Sequence, residues 1–328
     1  MNMYHWLNFH IYYHADRDRL LSEAVAPLLA DLYRGGLLRR FYFVRYSLGG
    51  PHVRLRLETS HSTASLVREA VESHLKRYLS VAPSLQSLSI EQISRTTQML
   101  IASDPNEHDR AIYPDNCLIS FAFAPEINRY GGAELLTHSL NVFNFTSIEA
   151  LTLVLHRRSQ TRTEIFSSSI RALVRFSLVL AEGPEDMTAL WGPEKRASAD
   201  SRQEIQARQR LAQLLQEELQ TISQEQWRLW QAAGNSLRQQ LAGLQGSMRI
   251  SILRSHLHMF ANRLDISNAV ENGLGALLSG ISEELQVAWP VHPPMQMEVD
   301  WLVQSQSNAP WLNASPALEW QMAHTGIQ

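Results

Sequence analysis

Two arginines and a histidine alternate with aliphatic residues in one short stretch of the chain, His52-Val53-Arg54-Leu55-Arg56. Because side chains on a β-strand alternate between its faces, His52, Arg54 and Arg56 are predicted to project together, opposite an apolar face. Such a group can bind an anion, since arginine stays charged and presents several N–H donors. The pattern also fits the solvated outer face of an amphipathic strand, and the stretch alone does not decide between the two.

A third arginine lies in the motif Arg129-Tyr130-Gly131-Gly132, which follows Pro125 at a predicted junction between a strand and a helix. Backbone N–H groups at the start of a helix, together with an arginine, form a place where an anion can dock. The alternative is a loop in which the glycines only permit the turn.

A third group of polar residues lies in a stretch with helical periodicity. Spacing of four residues places Arg254, His258 and Asn262 on one stripe of the predicted helix. The opposite, apolar face comprises Leu253, Leu257, Phe260 and Leu264. A histidine in this position suits proton transfer, although a histidine at such a border more often packs or faces solvent. His256 and His258 are two residues apart and point to different faces, which disfavours a zinc site.

Composition indicates an ordinary globular protein, with 328 residues, 45% of them hydrophobic and 19% charged. The net charge of −3 argues against a protein that coats nucleic acid. A single cysteine, Cys117, excludes an internal disulfide framework and a cysteine-based zinc site. The chain lacks a long apolar run, a signal-peptide core, a glycine-rich phosphate loop and a serine nucleophile elbow. We therefore expect a cytoplasmic protein that does not bind nucleotides.

Strand patterns concentrate in the first 125 residues and helical patterns follow. Strands are predicted at residues 4–13, around the Gly49-Gly50-Pro51 turn and at 118–124, and helices at 16–33, 62–78 and most of 133–289. Residues 80–116 are predicted to be less regular, and 199–244 to form a long surface helix or hairpin. Capping-box patterns mark two further helix starts, Thr146 with Glu149 and Ser201 with Glu204. This segregation predicts an α+β fold, with one domain over 1–289 and an irregular tail over 290–328.

Together the three motifs resemble one family, the C-terminal domain of lantibiotic dehydratases and the stand-alone thiopeptide-type bacteriocin biosynthesis proteins. The matching segments are Phe43-Val44-Arg45-Tyr46 with Gly50-Pro51-His52-Val53-Arg54-Leu55-Arg56, Pro125-Glu126-x-x-Arg129-Tyr130-Gly131-Gly132, and His256-Leu257-His258-Met259-x-x-Asn262-Arg263. They occur in the family's order, and the resemblance covers about four-fifths of the chain.

The resemblance implies β-elimination of glutamate from glutamylated Ser or Thr of a precursor peptide, which leaves dehydroalanine or dehydrobutyrine. A separate protein would first transfer glutamate from glutamyl-tRNA, because the chain is too short for both halves. The family's elimination residues correspond to Arg54, Arg56, Arg129 and His258. Further residues of the motifs are expected to bind substrate: Arg45, His52, Tyr130, Asn262 and Arg263. No cofactor, metal, direct nucleic-acid contact or membrane contact is expected, and a homodimer is left open.

The residue types suit that chemistry. Elimination removes an α-proton, develops an enolate-like oxyanion and releases a carboxylate, which is a weakly basic leaving group. Arginine suits the carboxylates or the oxyanion but not the role of base, whereas His258 suits proton transfer as base or as acid.

Two other functions remain open at the level of sequence. Some stand-alone relatives are pyridine synthases, which join two dehydroalanines in a formal cycloaddition and release the leader peptide. They generally depart from the elimination set of residues, so its retention favours elimination. A non-catalytic scaffold that binds the leader is the third alternative.

Overall fold

The computed structural model of the chain describes residues 4–86, 88–103, 110–191, 206, 209–211, 213, 217, 223–279, 305–307, 309 and 312. It divides into two compact units, residues 1–124 with 308–328, and residues 125–307. The first contains a four-stranded sheet and the second is helical, which confirms the predicted α+β class.

The sheet of the first unit is antiparallel throughout, with the strand order β2-β3-β1-β4. The strands are β1 (Tyr4–Tyr12), β2 (Arg40–Tyr46), β3 (His52–Ser60) and β4 (Cys117–Phe121). Between β2 and β3 the chain turns at Gly49 and Gly50, which have φ angles of 72° and 127°. A side chain is strained at such angles, so glycine is required for this turn.

The described residues of the first unit include the helices α1 (Arg17–Leu20), α2 (Ala26–Arg34), α3 (Ala64–Val81) and α4 (Ile90–Ser103). A π-helical turn, Leu21–Val25, joins α1 to α2, so the predicted helix over 16–33 is present with one wide turn inside it. Helix α3 packs against β1, β3 and β4 and covers the apolar face of the sheet. Helix α4 corrects the prediction that residues 80–116 are less regular. Its exposed Ile90 and Met99 lie outside any buried stripe and obscured the helical period.

The second unit is built from helices α5 (Ala133–His156), α6 (Arg162–Leu180), α7 (Pro184–Trp191), α8 (Gln224–Leu241), α9 (Gly246–Arg263) and α10 (Asn268–Ser279). Helices α5, α6, α8 and α9 pack on one another around buried aromatic side chains, among them Phe145, Phe176, Trp230 and Phe260. Gly234 of α8 lies against the backbone of α6, because a Cβ there would be 2.3 Å from the carbonyl oxygen of Val179.

One of the predicted helix starts is wrong. Thr146 lies inside α5, where its Oγ1 donates to the carbonyl oxygen of Val142 at 2.8 Å. The capping box occurs instead at Thr161 and Glu164, at the start of α6. The pair Ser201 and Glu204 lies outside the described residues, as do most of 199–222 and of the predicted tail at 290–328.

Candidate functional site

The basic residues of β3 project from one face of the sheet, as predicted from their alternation. Val53, Leu55 and Leu57 are fully buried on the other face, whereas Arg54 and Arg56 are half-buried. The strand register places Arg54 between Val44 and His10. It places Arg56 between Tyr42 and Asn8. The two guanidinium groups therefore stand side by side on a face lined with aromatic and polar side chains.

Aromatic rings hold both arginines in place. The Cζ atom of Arg54 lies 3.8 Å from the centre of the Tyr46 ring. Arg56 donates from Nη1 to the hydroxyl oxygen of Tyr42 at 2.9 Å. Its Nε is buried and has no hydrogen-bond partner among the described residues. A buried N–H without an acceptor is costly in a folded protein, so this group is suited to a bound anion.

Two histidines on the same face are neutral at physiological pH. Burial lowers the pKa of His52 to about 3, and burial together with Arg54 lowers that of His10 to about 2. In a neutral His52, Nδ1–H donates to the carbonyl oxygen of Gly50 at 2.8 Å. Nε2 then accepts from Nε of Arg54 at 3.3 Å. His52 therefore orients Arg54 and adds no charge.

Arg45 lies on the opposite side of the sheet from these arginines. The register pairs it with Val53, and the buried Arg45 side chain forms an ion pair with the partly buried Asp18 of α1. This placement does not support the predicted contact of Arg45 with substrate. The ion pair fixes α1 against the sheet instead, because a buried guanidinium needs a paired carboxylate.

The Arg129 motif forms a tight turn in the second unit, in front of α5. A short 3-10 helix, Asn128–Tyr130, leads into Gly131 and Gly132, whose φ angles are 82° and 107°. Arg129 donates from Nη1 to Glu126 Oε2 at 2.9 Å and from Nε to Ser255 Oγ at 3.2 Å. The contact with Ser255 attaches the arginine to α9.

Helix α9 presents Ser251, Arg254, Ser255 and His258 on one face, as their spacing of three and four residues requires. His258 is half-exposed, and its Nδ1 lies 2.9 Å from Oε2 of Glu271 on α10. His256 points the other way and is fully buried against Ser139. Burial lowers its pKa to about 3, so it is a neutral core histidine.

Arg129, Arg254, His258 and Glu271 line one cleft of about 320 Å³. A carboxylate beside Nδ1 orients an imidazole and stabilises its protonated form, leaving Nε2 for proton transfer. The cleft thus combines a proton-transfer group with two guanidinium groups. Within the described residues, no cluster of three or more His, Cys, Asp or Glu side chains has the arrangement of a metal site.

The remaining predicted substrate-binding residues, Tyr130, Asn262 and Arg263, are not among those that line this cleft. Tyr130 is buried and makes edge contacts with Phe143 and His256. Arg263 is fully buried, donates to the carbonyl oxygen of Met259 at 2.9 Å and stacks on Phe143. Asn262 is half-buried. Arg54 and Arg56 are therefore brought together in the first unit, and Arg129 and His258 in the second.

The sequence pattern places Arg254 on the stripe with His258 but gives no sign of Glu271. Glu271 lies on the next helix, and no local pattern connects it with His258.

Comparison with protein families gives a decisive match. Residues 6–280 match the family described as the lantibiotic biosynthesis dehydratase C-terminal domain, a span that includes all three motifs. The chain belongs to this family. A search of curated proteins finds no match to the chain. None of its described helices is both long and apolar enough to cross a membrane.

Three solved structures share the fold of this family member. The pyridine synthase TbtD from thiomuracin biosynthesis has a TM-score of 0.66 and 18% identity, over 86% of this chain and 99% of TbtD. The tRNA-dependent lantibiotic dehydratase MibB from Microbispora sp. 107891 has a TM-score of 0.58 and 17% identity. That match covers 85% of this chain and 28% of MibB. TsrL has a TM-score of 0.54 and 15% identity, over 93% of this chain and 98% of TsrL.

Proposed function

We propose that this protein is a lyase that eliminates glutamate from glutamylated Ser or Thr residues of a ribosomally made precursor peptide. The observation that carries the proposal is the His258–Glu271 pair, with its 2.9 Å contact, in a cleft shared with Arg129. Elimination requires a proton-transfer group beside a cation, and this cleft supplies both.

The reaction is balanced within the substrate. The Cα–H bond breaks and its electrons form the Cα=Cβ double bond, while the Cβ–O bond breaks and glutamate departs as a carboxylate. His258 accepts the α-proton and passes it to the departing glutamate or to solvent, and Glu271 stabilises the imidazole while it is charged. Arg129 stabilises negative charge that develops during the reaction.

Arg54 and Arg56 form a second anion site in this proposal. Their aromatic contacts, the neutral His52 and the unpartnered Nε of Arg56 suit them to a carboxylate or an enolate oxygen. The substrate is the precursor peptide with its leader, and glutamylation falls to a separate tRNA-dependent protein in the cytoplasm. Residues 1–289 are proposed to act as one domain, with 290–328 as an appendage.

A second candidate is pyridine synthesis by cycloaddition of two dehydroalanines. The observation that favours it is the fold similarity to TbtD, which extends over 99% of that protein. This candidate requires no leaving glutamate, so the two proposals differ in their products.

The test is mass spectrometry of a glutamylated Ser peptide with its leader, incubated with wild type, H258A and H156A. His156 is an exposed histidine of α5 and serves as the matched control. We expect wild type and H156A to release glutamate and form dehydroalanine, and H258A to be at least 100-fold slower. Equal rates in H258A and wild type would contradict the assignment of His258. Leader release from a bis-dehydroalanine peptide, without glutamate release, would establish the pyridine synthase instead.

A further inference from the structure

Arg254 is a guanidinium held in the cleft but not neutralised there. Its Nε donates to the carbonyl oxygens of Ala189 at 2.8 Å and Leu190 at 3.2 Å, near the end of α7. Among the described residues no carboxylate forms an ion pair with it. The two terminal nitrogens, Nη1 and Nη2, therefore remain available as a forked pair of donors on a rigidly held side chain.

The other charges of the cleft are already engaged. Arg129 pairs with Glu126 at 2.9 Å, and Glu271 pairs with His258 at 2.9 Å. Arg254 is the cation of this cleft that has no carboxylate partner among the described residues. Ser251 and Asn272 line the same cleft and add neutral polar groups. A carboxylate is the partner that a guanidinium fork fits best, through two parallel hydrogen bonds.

The spacing matches a glutamyl group. Arg254 precedes His258 by four residues on α9, and such neighbours are roughly 6 Å apart along the helix axis. A glutamyl ester keeps one unesterified carboxylate, whose carbon lies four C–C bonds from the ester carbon, about 5 Å when extended. A group that reaches Arg254 with its carboxylate thus presents its ester end near His258.

We propose that Arg254 binds the unesterified carboxylate of the glutamyl group and so selects glutamate as the leaving group. The inference rests on the proposed elimination function and assigns to Arg254 the recognition of the substrate's charge. His258 and Arg129 act at the other end of the same group.

The experiment compares two leader-containing peptides, one with a glutamyl ester and one with a glutaminyl ester on the same Ser. The glutaminyl ester has the same shape but lacks the negative charge. Elimination rates are measured for wild type, R254Q, R254K and R249Q. Arg249 lies on the same helix and pairs with Glu182 and Asp186 outside the cleft, so R249Q is the matched control.

We expect wild type and R249Q to prefer the glutamyl ester by about 30-fold in kcat/KM, the usual range for a hydrogen bond to a charged group. In R254Q that preference falls to threefold or less, mainly through KM for the glutamyl ester. R254K keeps the charge but loses the fork and lies between. The ratio of the kcat/KM values for two substrates of one variant does not depend on how much of that variant is folded.

An R254Q variant that retains the wild-type preference would overturn the role of Arg254, while glutamate release by wild type would still support elimination. A wild-type enzyme that eliminates both esters equally would also overturn it. A wild-type enzyme that eliminates neither, with a confirmed cognate peptide, would refute the proposed function and the inference together.

Discussion

Replacing Glu271 with glutamine tests whether the carboxylate beside His258 contributes to the reaction. Glutamine has the same shape, and its amide oxygen can still accept a hydrogen bond from Nδ1, which lies 2.9 Å from Oε2 in the native protein. The change therefore removes the negative charge but keeps the orientation of the ring.

The expected magnitude follows from the exposure of the pair. Hydrogen bonds between charged partners contribute about 1.5–3 kcal/mol, against about 0.5–1.5 kcal/mol for neutral ones. The side chains of His258 and Glu271 are 38% and 17% exposed, so solvent screens part of the difference. We take about 1.4 kcal/mol, which corresponds to a tenfold loss in kcat/KM.

The assay is the rate of glutamate release from the glutamylated peptide by E271Q and by E182Q. Glu182 is an exposed carboxylate that pairs with Arg249 at 3.4 Å, and its variant should keep the wild-type rate. A folded E271Q variant with kcat/KM within twofold of wild type would refute the idea that Glu271 supports proton transfer by His258.

Two further predictions concern stability. Because the pKa values of His52 and His256 fall to about 3 in the folded protein from 6.5, the unfolded chain binds more protons between pH 6.5 and 3. The free energy of unfolding is therefore highest above pH 6.5 and falls by about 1 kcal/mol per histidine between pH 7 and 5.5. Urea unfolding at several pH values measures this loss. A free energy of unfolding that does not change with pH in this range would contradict the prediction. G234A should lower the free energy of unfolding by about 1–3 kcal/mol, because the added Cβ would meet the backbone of Val179. G243A, whose Cβ meets nothing within 4 Å, is the control, and equal melting temperatures for the two variants would contradict the close packing of α8 on α6.

Local periodicity was enough to predict the basic face of the sheet and the polar stripe of α9. A period of two separates Arg54 and Arg56 from their aliphatic neighbours, and a spacing of four connects Arg254 with His258. Both signals depend only on residues close in sequence. The same reasoning gave the α+β class, because strand and helix patterns are segregated along the chain.

Tertiary contacts account for what the sequence could not reveal. The partner of His258 comes from a different helix, and the partner of Arg45 lies 27 positions earlier in the chain. The pattern at Thr146 misled because its hydroxyl can bond a carbonyl within a helix as readily as it caps a helix start. A helix start also needs non-helical backbone before it, and Gly131 and Gly132, with their positive φ angles, provide this before α5.

The edge position of β4 makes the single cysteine a reporter of strand opening. Within the described sheet β4 pairs with β1 alone, and its first residue, Cys117, lies opposite Tyr12. Burial, reinforced by Asp115, raises the pKa of the Cys117 thiol to about 11, so little reactive thiolate exists while the strand is docked. Cys117 is partly exposed, so the docked strand is alkylated slowly through this small thiolate fraction. Release of β4 would return the thiol to ordinary reactivity, so the alkylation rate of the unmodified protein should rise as this edge detaches more often.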